Sequence, residues 1–295
     1  MEIRPAFYDD FICLADRCRH SCCRGWEIDV DDVSRRRYMA MEGPLGDELR
    51  AALQEEAGTW SFRLTAEKDC PFLRPDGLCR LILALGEDAL CDICALHPRF
   101  FQDIGDMELA GVGLCCEAAA ALLLSGRGEL RFLTEDDDPL TLEQVLRLLG
   151  QRVEWDELSF SPKPDGAYYR AIFRRYGRCE AIDEAWSRDL AALAADPDGV
   201  AERAKAYAAR YDRERYDRIF GYILYRQLEF LNTHGLSALL RYAAEAAEFV
   251  FLWDAVTGEG SECLRRWSAQ TEYSTENVQL LLANHAEILK KGLRG

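Results

Sequence analysis

The spacing of hydrophobic positions changes near residue 140. Beyond that point apolar residues recur every three or four positions, as in helices with one buried face. The pattern predicts helices over residues 142–149, 168–176, 181–194, 201–231, 236–253 and 278–293, with breaks at prolines and glycines. Aromatic residues on the second of these helices are typical of a buried core. We therefore expect a helical second half.

The first half has a mixed pattern. Acidic residues from Asp29 to Asp32 predict the start of a helix that runs to Met41 and stops at Gly43-Pro44. Period-two alternation over residues 59–65 predicts a strand. Further helices are predicted over residues 45–56, 86–96 and 116–124, and further strands over residues 108–114 and 128–134. Residues 1–28 are predicted to be irregular.

The run Asp136-Asp137-Asp138-Pro139 separates the two patterns and predicts a domain boundary. We expect one domain over residues 1–135 and a helical domain over residues 136–295. A hydrophobic content of 49% is enough for a sizeable core. No fixed-period repeat or low-complexity tract interrupts either part.

Charge and hydropathy exclude several classes of partner. The formal net charge is −16, which disfavours binding to nucleic acid and would suit a cationic, lysine-rich protein surface. No apolar segment follows Met1 as a signal peptide would require. The longest apolar stretch, near residues 118–124, is too short to cross a membrane. The sequence therefore predicts a cytoplasmic protein in a reducing compartment.

Ten of the twelve cysteines fall in the first 116 residues, and Cys179 and Cys263 are isolated. The ten form short groups, namely Cys13, Cys18, Cys22 and Cys23, then Cys70 and Cys79, then Cys91 and Cys94, and finally Cys115 and Cys116. Thiols at this density in a reducing compartment indicate metal ligands rather than disulfides. The predicted fold is therefore mainly α, with a cysteine-rich, metal-stapled N-terminal α+β region and a C-terminal helical domain.

Thiolate sulfur is the ligand that zinc and iron–sulfur clusters share, and each kind of site takes four. A turn rich in proline and glycine between Cys70 and Cys79 is suited to bringing distant sulfurs together. The spacing leaves open zinc or iron, and one site or two. His20 and His97 are further possible ligands, and Arg99 could bind a carboxylate or phosphate. No dinucleotide-binding fingerprint, P-loop or hydrolase triad is present.

Four motifs follow one another along residues 10–120: Cys13-x4-Cys18-x3-Cys22-Cys23-x-Gly25-Trp26, Cys70-Pro71-Phe72-Leu73 with Gly77-Leu78-Cys79, Leu85-Gly86-Glu87 leading to Cys94-x2-His97-Pro98-Arg99, and Cys116-Glu117-Ala118-Ala119. In combination they resemble the flagellin lysine-N-methylase family. That family is related to small zinc- or iron-chelating proteins with a Cys-x2-Cys-x2-Cys-Cys motif. The wider cysteine spacing here is similar to the methylase branch.

The resemblance implies a protein-lysine N-methyltransferase that uses S-adenosylmethionine and a [4Fe–4S] cluster. The expected substrate is a lysine-bearing, flagellin-like protein. The implied metal ligands are the thiols that recur in the family, Cys13, Cys18, Cys22, Cys23, Cys70, Cys79, Cys94 and Cys116. No catalytic or cofactor-binding residue is implied.

Other residues near these thiols in the sequence are weaker candidates for metal ligation or for binding the substrate lysine. Cys91 and Cys115 stand where the family often has a small polar residue, so both are interpreted as extras. His97 stands where the family more often has tyrosine, which argues against ligation. Asp92 and Glu117 are candidates to receive the incoming lysine by sequence proximity alone. Two alternatives stay open: a non-enzymatic zinc- or iron-trafficking protein, and a zinc-stapled interaction scaffold.

Overall fold

The computed structural model describes residues 1–292, except the side chains of residues 155, 156 and 284–292. The helices are α1 (Asp32–Ala40), α2 (Pro44–Ala52), α3 (Arg80–Leu85), α4 (Asp92–Leu96), α5 (Glu117–Ser125), α6 (Leu142–Leu148), α7 (Gly166–Tyr176), α8 (Glu184–Ala195), α9 (Pro197–Ala208), α10 (Arg213–Arg226), α11 (Leu231–His234), α12 (Leu236–Thr257), α13 (Gly260–Thr271) and α14 (Thr275–Gly292). The strands are β1 (Glu2–Pro5), β2 (Leu53–Glu56), β3 (Thr59–Phe62), β4 (Arg99–Ile104), β5 (Met107–Val112), β6 (Arg131–Thr134) and β7 (Pro139–Thr141). The predicted predominance of helix, and the helical C-terminal part, are confirmed.

The chain divides into two compact units. The cysteine-rich unit is Ile12–Phe100, and the sheet-and-helix unit combines Met1–Phe11 with the chain from Phe101 onward. The first eleven residues therefore belong to the sheet-and-helix unit, although the cysteine-rich unit follows them directly in the sequence. The sequence domains 1–135 and 136–295 stay a prediction about domain organisation.

In the cysteine-rich unit, a helical pair is followed by a short hairpin. The Asp31 carboxylate caps α1 by accepting from Ser34 N at 2.8 Å. Strands β2 and β3 pair antiparallel around Ala57 and Gly58, both at positive φ (49° and 86°), which suits a tight hairpin turn. The predicted helix over residues 45–56 was wrong at its end, because strand pairing with residues 59–62 outweighs helix propensity there.

A second predicted helix, residues 86–96, was also wrong as a single element. The structure has α3 before Gly86, a 3₁₀ turn at Glu87–Ala89, and α4 after Cys91. Gly86 has a φ of 85°, a conformation that a continuous right-handed helix cannot contain. Cys91 has an extended backbone conformation and immediately precedes the short helix α4.

The sheet-and-helix unit contains a five-stranded sheet in the order β4-β5-β1-β6-β7. Strand β1 is central, pairing parallel with β5 through Ile3 and Leu109 and antiparallel with β6 through Pro5 and Phe132. The expectation of an irregular start was wrong here, because four residues are too few to show alternation and β1 is recruited by non-local pairing.

Helices of this unit cover the sheet and one another. Tyr225 of α10 places its hydroxyl 2.7 Å from Ile3 O and 2.8 Å from Ala110 O, which ties the helix to two strands. Helix α12 is mostly buried and is contacted by α9, α10, α13 and α14. The predicted helix over residues 201–231 was wrong, since Asp212 caps a new helix after α9 ends. Helix α13 was not predicted.

The last predicted helix, residues 278–293, corresponds to α14, and residue 293 lies outside the described residues. Within the part of the chain that the structure describes, no helix has both the length and the apolar character needed to span a membrane.

Candidate metal centre

A turn between Cys70 and Cys79 brings two predicted ligands onto adjacent backbone segments. Leu73 N donates to Cys70 O at 3.0 Å, and residue 73 forms a β-bridge with Cys79. Gly77, at a φ of 83°, allows the chain to reverse. Cys70 N also donates to Cys23 O at 2.8 Å, so the first cysteine group lies beside the turn.

Five thiols pack in one region of the cysteine-rich unit. Cys70 and Cys91 belong to its buried core, with 6% and 1% of their surface exposed. Cys23, Cys79 and Cys94 pack against the same core. We call this set, Cys23, Cys70, Cys79, Cys91 and Cys94, the thiol cluster. Around it lie apolar side chains including Phe62, Phe72 and Leu81, which keep water away.

The electrostatics of the thiol cluster show how close these sulfurs are. Burial raises the pKa of Cys70 to about 12, and the neighbouring sulfurs Cys23, Cys79 and Cys91 add to the increase. Burial likewise raises the pKa of Cys79. Several thiolates cannot coexist here without a compensating positive charge. A bound cation would supply that charge.

In each of two pairs of cysteines, a hydrogen bond joins the two side chains. The bond between the Cys91 and Cys94 side chains lowers the pKa of Cys91 and raises that of Cys94. A hydrogen bond from the Cys22 side chain lowers the pKa of Cys23 to about 7, against the opposing effect of burial. Cys23 and Cys91 are therefore more easily deprotonated than an ordinary thiol.

The eight predicted ligands are not all in this cluster. The structure brings together Cys23, Cys70, Cys79 and Cys94, and Cys22 is attached through Cys23. The remaining three occupy other places. Cys13 is an exposed thiol, the Cys18 sulfur lies 3.4 Å from His20 O, and Cys116 directly precedes α5 in the sheet-and-helix unit. Their assignment as ligands stays a prediction.

Cys91 is the cluster member that the sequence reasoning missed. The resemblance implies that Cys91 is an extra, because the family often has a small polar residue at this position. The signal that could have identified it was local, since Cys91-x2-Cys94 is a common ligand spacing on a short helix. Cys115, the other extra, is half-buried in the sheet-and-helix unit, where burial raises its pKa to about 12.

The donor set fits a thiolate-bound metal or cluster. Among the residues that the structure describes, no three or more histidine, cysteine, aspartate or glutamate side chains are already arranged around a point where a metal ion could sit. The five thiols are neighbours, and binding would require their side chains to rotate toward one point. Both a zinc ion and a [4Fe–4S] cluster need four sulfurs, which the cluster can supply.

The other candidate residues are not members of the thiol cluster. Burial lowers the pKa of His97 to about 4, so its imidazole is neutral at pH 7. The His97 ring centroid lies 5.0 Å from that of Trp26, whose indole N–H donates to Cys22 O. Asp92 is exposed at the start of α4, and Glu117 begins α5 in the sheet-and-helix unit. Neither carboxylate is assigned a role by its contacts.

Comparison with known proteins adds to this geometry. The chain is 28% identical over 127 residues, 41% of its length, to the Lysine-N-methylase of Salmonella choleraesuis (strain SC-B67) and to that of Salmonella typhimurium. These residues amount to 32% of each relative. The chain is related to the lysine-N-methylases.

The family resemblance inferred from the cysteine motifs is thereby confirmed. The same 28% identity over 127 residues holds for the Flagellar biosynthetic protein FliU of Salmonella muenchen, of which the chain covers 75%. The chain spans about one third of the length of the two lysine-N-methylases. No family model and no solved structure matches.

Proposed function

We propose that this chain is a protein-lysine N-methyltransferase acting on a flagellin-like substrate, with S-adenosylmethionine as methyl donor. The observation that carries the proposal is the convergence of five thiols in a chain related to proteins named Lysine-N-methylase and Flagellar biosynthetic protein FliU. In the reaction, a neutral lysine ε-amine forms a bond to the sulfonium methyl. The methyl–sulfur bond breaks and leaves S-adenosylhomocysteine, and the methylated ammonium that forms releases a proton to solvent.

We further propose that the thiol cluster holds a [4Fe–4S] cluster, with four of Cys23, Cys70, Cys79, Cys91 and Cys94 as ligands. An iron–sulfur cluster bound there could anchor the amino and carboxylate groups of S-adenosylmethionine. The protein's part is to supply thiolates and to exclude water from them, which the burial of Cys70 and Cys91 achieves. Transfer itself requires mainly orientation and desolvation of the lysine.

The alternative is a non-enzymatic zinc- or iron-binding protein. The thiol cluster supports it as well, because its five sulfurs could hold a metal whether or not a methyl donor binds.

Methyl transfer to flagellin distinguishes the two functions. The wild-type chain, purified anaerobically, is incubated with flagellin and S-adenosylmethionine carrying an isotope-labelled methyl group. We expect labelled methyl-lysine by mass spectrometry, loss of the product in Cys70→Ser, and no loss in Cys179→Ser. Cys179 is the matched control because it lies outside the thiol cluster.

One result would argue against the enzyme, and another against a role for the thiol cluster in it. If the metal-loaded wild-type chain transfers no label, the metal-binding alternative is favoured. If Cys70→Ser transfers label as fast as the wild type while lacking metal, the methyltransferase would not need the thiol cluster.

A further inference from the structure

Helix α1 is bound to the segment that precedes Cys91. Arg37 donates from Nη1 to Asp88 O at 2.6 Å and from Nη2 to the carbonyls of residues 89 and 90, at 2.9 Å each. The Tyr38 hydroxyl, fully buried, donates to Ala89 O at 2.7 Å. Two consecutive side chains of one helix thus fix three consecutive carbonyls immediately before a cysteine of the thiol cluster.

The same helix is also bound to the segment that follows Cys91. One oxygen of the Asp31 carboxylate accepts from Ser34 N at 2.8 Å and so caps α1. The other oxygen accepts from Asp92 N, the first residue of α4, at 3.0 Å. A single carboxylate therefore satisfies the amino-terminal ends of two helices, one of which carries Cys94.

These contacts hold the backbone on both sides of Cys91. Cys91 and Cys94 lie on one short turn, so any rotation of the start of α4 would displace both sulfurs together. Arg37 makes three bonds to the residues before this turn, and Asp31 makes one to its first helical residue, which restricts such rotation. Hydrogen bonds around metal ligands act in this way, orienting the donor atoms before the metal arrives.

We propose that Asp31, Arg37 and Tyr38 form a clamp that positions Cys91 and Cys94 for metal binding. The clamp rests on the proposed metal centre, and it holds whether zinc or iron is bound. The three residues are positioning residues, since they touch the backbone around the thiols and not the metal.

The variant Asp31→Asn distinguishes the bond from Asp31 to α4 from its role as the N-cap of α1. Asparagine is as good an N-cap as aspartate, so its side-chain oxygen can still accept from Ser34 N. Its amide group would then face Asp92 N–H, donor against donor, and the link to α4 is lost. Asp32→Asn is the matched control, because Asp32 is the next residue, is exposed, and its carboxylate accepts from Arg35 within α1.

The test uses the full chain loaded anaerobically with iron and sulfide, or with zinc, and measures how fast a chelator removes the metal. We expect Asp31→Asn to lose metal about 10- to 100-fold faster than the wild type, the range typical when a partner of a metal ligand is removed. Asp32→Asn should behave as the wild type. Far-ultraviolet circular dichroism should be the same for all three proteins.

A second readout needs no metal. Cys91 is 1% exposed, so a thiol-alkylating reagent should modify it slowly in the wild type and faster in Asp31→Asn. Peptide mass spectrometry follows the modification of Cys91 itself. Two more variants test the bonds to the residues before Cys91. Arg37→Met removes the guanidinium, with exposed Arg36→Met as its control, and Tyr38→Phe removes only a hydroxyl.

The outcomes separate the clamp from the metal centre. Equal chelation and alkylation rates in the wild type, Asp31→Asn and Tyr38→Phe would overturn the clamp and leave the metal centre standing. A wild-type chain that takes up neither iron nor zinc would overturn both. Faster metal loss confined to the clamp variants, with unchanged circular dichroism, supports the proposal.

Discussion

Glu248→Gln should remove a pH dependence of stability that the buried Glu248 carboxyl creates. Glu248 lies on α12 with 2% of its surface exposed. Its carboxyl oxygens accept from the Tyr169 hydroxyl at 2.7 Å and from Lys163 N at 2.9 Å. Burial raises the pKa of Glu248 to about 7, because these two bonds do not replace the water that the charged form loses.

The size and sign of the effect follow from that value. A glutamate pKa of 4.5 in the unfolded chain and about 7 in the folded protein corresponds to about 3 kcal/mol. The folded state binds the proton more tightly, so this stabilisation is complete below pH 4.5. It is lost as the pH rises through about 7. Glutamine stays neutral at every pH and loses nothing.

Urea unfolding of the wild type and Glu248→Gln, followed by tryptophan fluorescence from about pH 4 to about pH 8, measures this difference. The two proteins should be about equally stable at the acidic end, where both side chains are neutral. At the alkaline end the variant should be more stable by up to about 3 kcal/mol. Exposed Glu202→Gln is the control and should follow the wild type.

A constant difference between wild type and Glu248→Gln across this range would refute the reasoning. So would a variant that is less stable than the wild type at the alkaline end. Glutamine can satisfy both partners, since its oxygen can accept from Lys163 N while its amide donates to the Tyr169 hydroxyl. Lost hydrogen bonds therefore do not obscure the comparison.

Two further predictions concern the buried Tyr222 and Cys91 of the thiol cluster. Tyr222 accepts from Val112 N at 2.8 Å and donates to Val112 O at 2.7 Å, so Tyr222→Phe should reduce the free energy of unfolding by about 1–3 kcal/mol. An unchanged urea midpoint would show that these bonds are replaced. Cys91→Ser should lower metal content as much as Cys70→Ser, with Cys179→Ser unchanged. Full metal content in Cys91→Ser would exclude it from the ligands.

Sequence spacing predicted helices well where one face is buried over several turns. Helix α1 follows its predicted range closely because Asp31 caps its start and Gly43-Pro44 follows its end, and α12 does so because it begins after Gly235 and buries most of its residues. Strand β2 could not be predicted, because its four residues continue a helical pattern and become extended only through pairing with β3. Strand β1 depends in the same way on residues more than 100 positions away.

The sequence predicted that the candidate metal centre uses thiolate ligands, but it predicted less well which cysteines lie together. Density and spacing of cysteines indicated thiolate ligands near Cys70, Cys79 and Cys94. The Cys91-x2-Cys94 spacing allows Cys91 as a ligand, but spacing could not show its burial, which results from the broken helix at Gly86 and the bonds from α1. Nor could it reveal the roles of Asp31 and Arg37, which act through backbone contacts about 50 to 60 residues away.

The central claim is that the thiol cluster holds a [4Fe–4S] cluster. Iron, acid-labile sulfide and zinc per chain, measured with the visible spectrum on anaerobically purified wild-type protein, test it most directly. The account predicts about four iron and four sulfide per chain with broad visible absorption, all lost in Cys70→Ser. A colourless protein with stoichiometric zinc, even after anaerobic reconstitution with iron and sulfide, would contradict it.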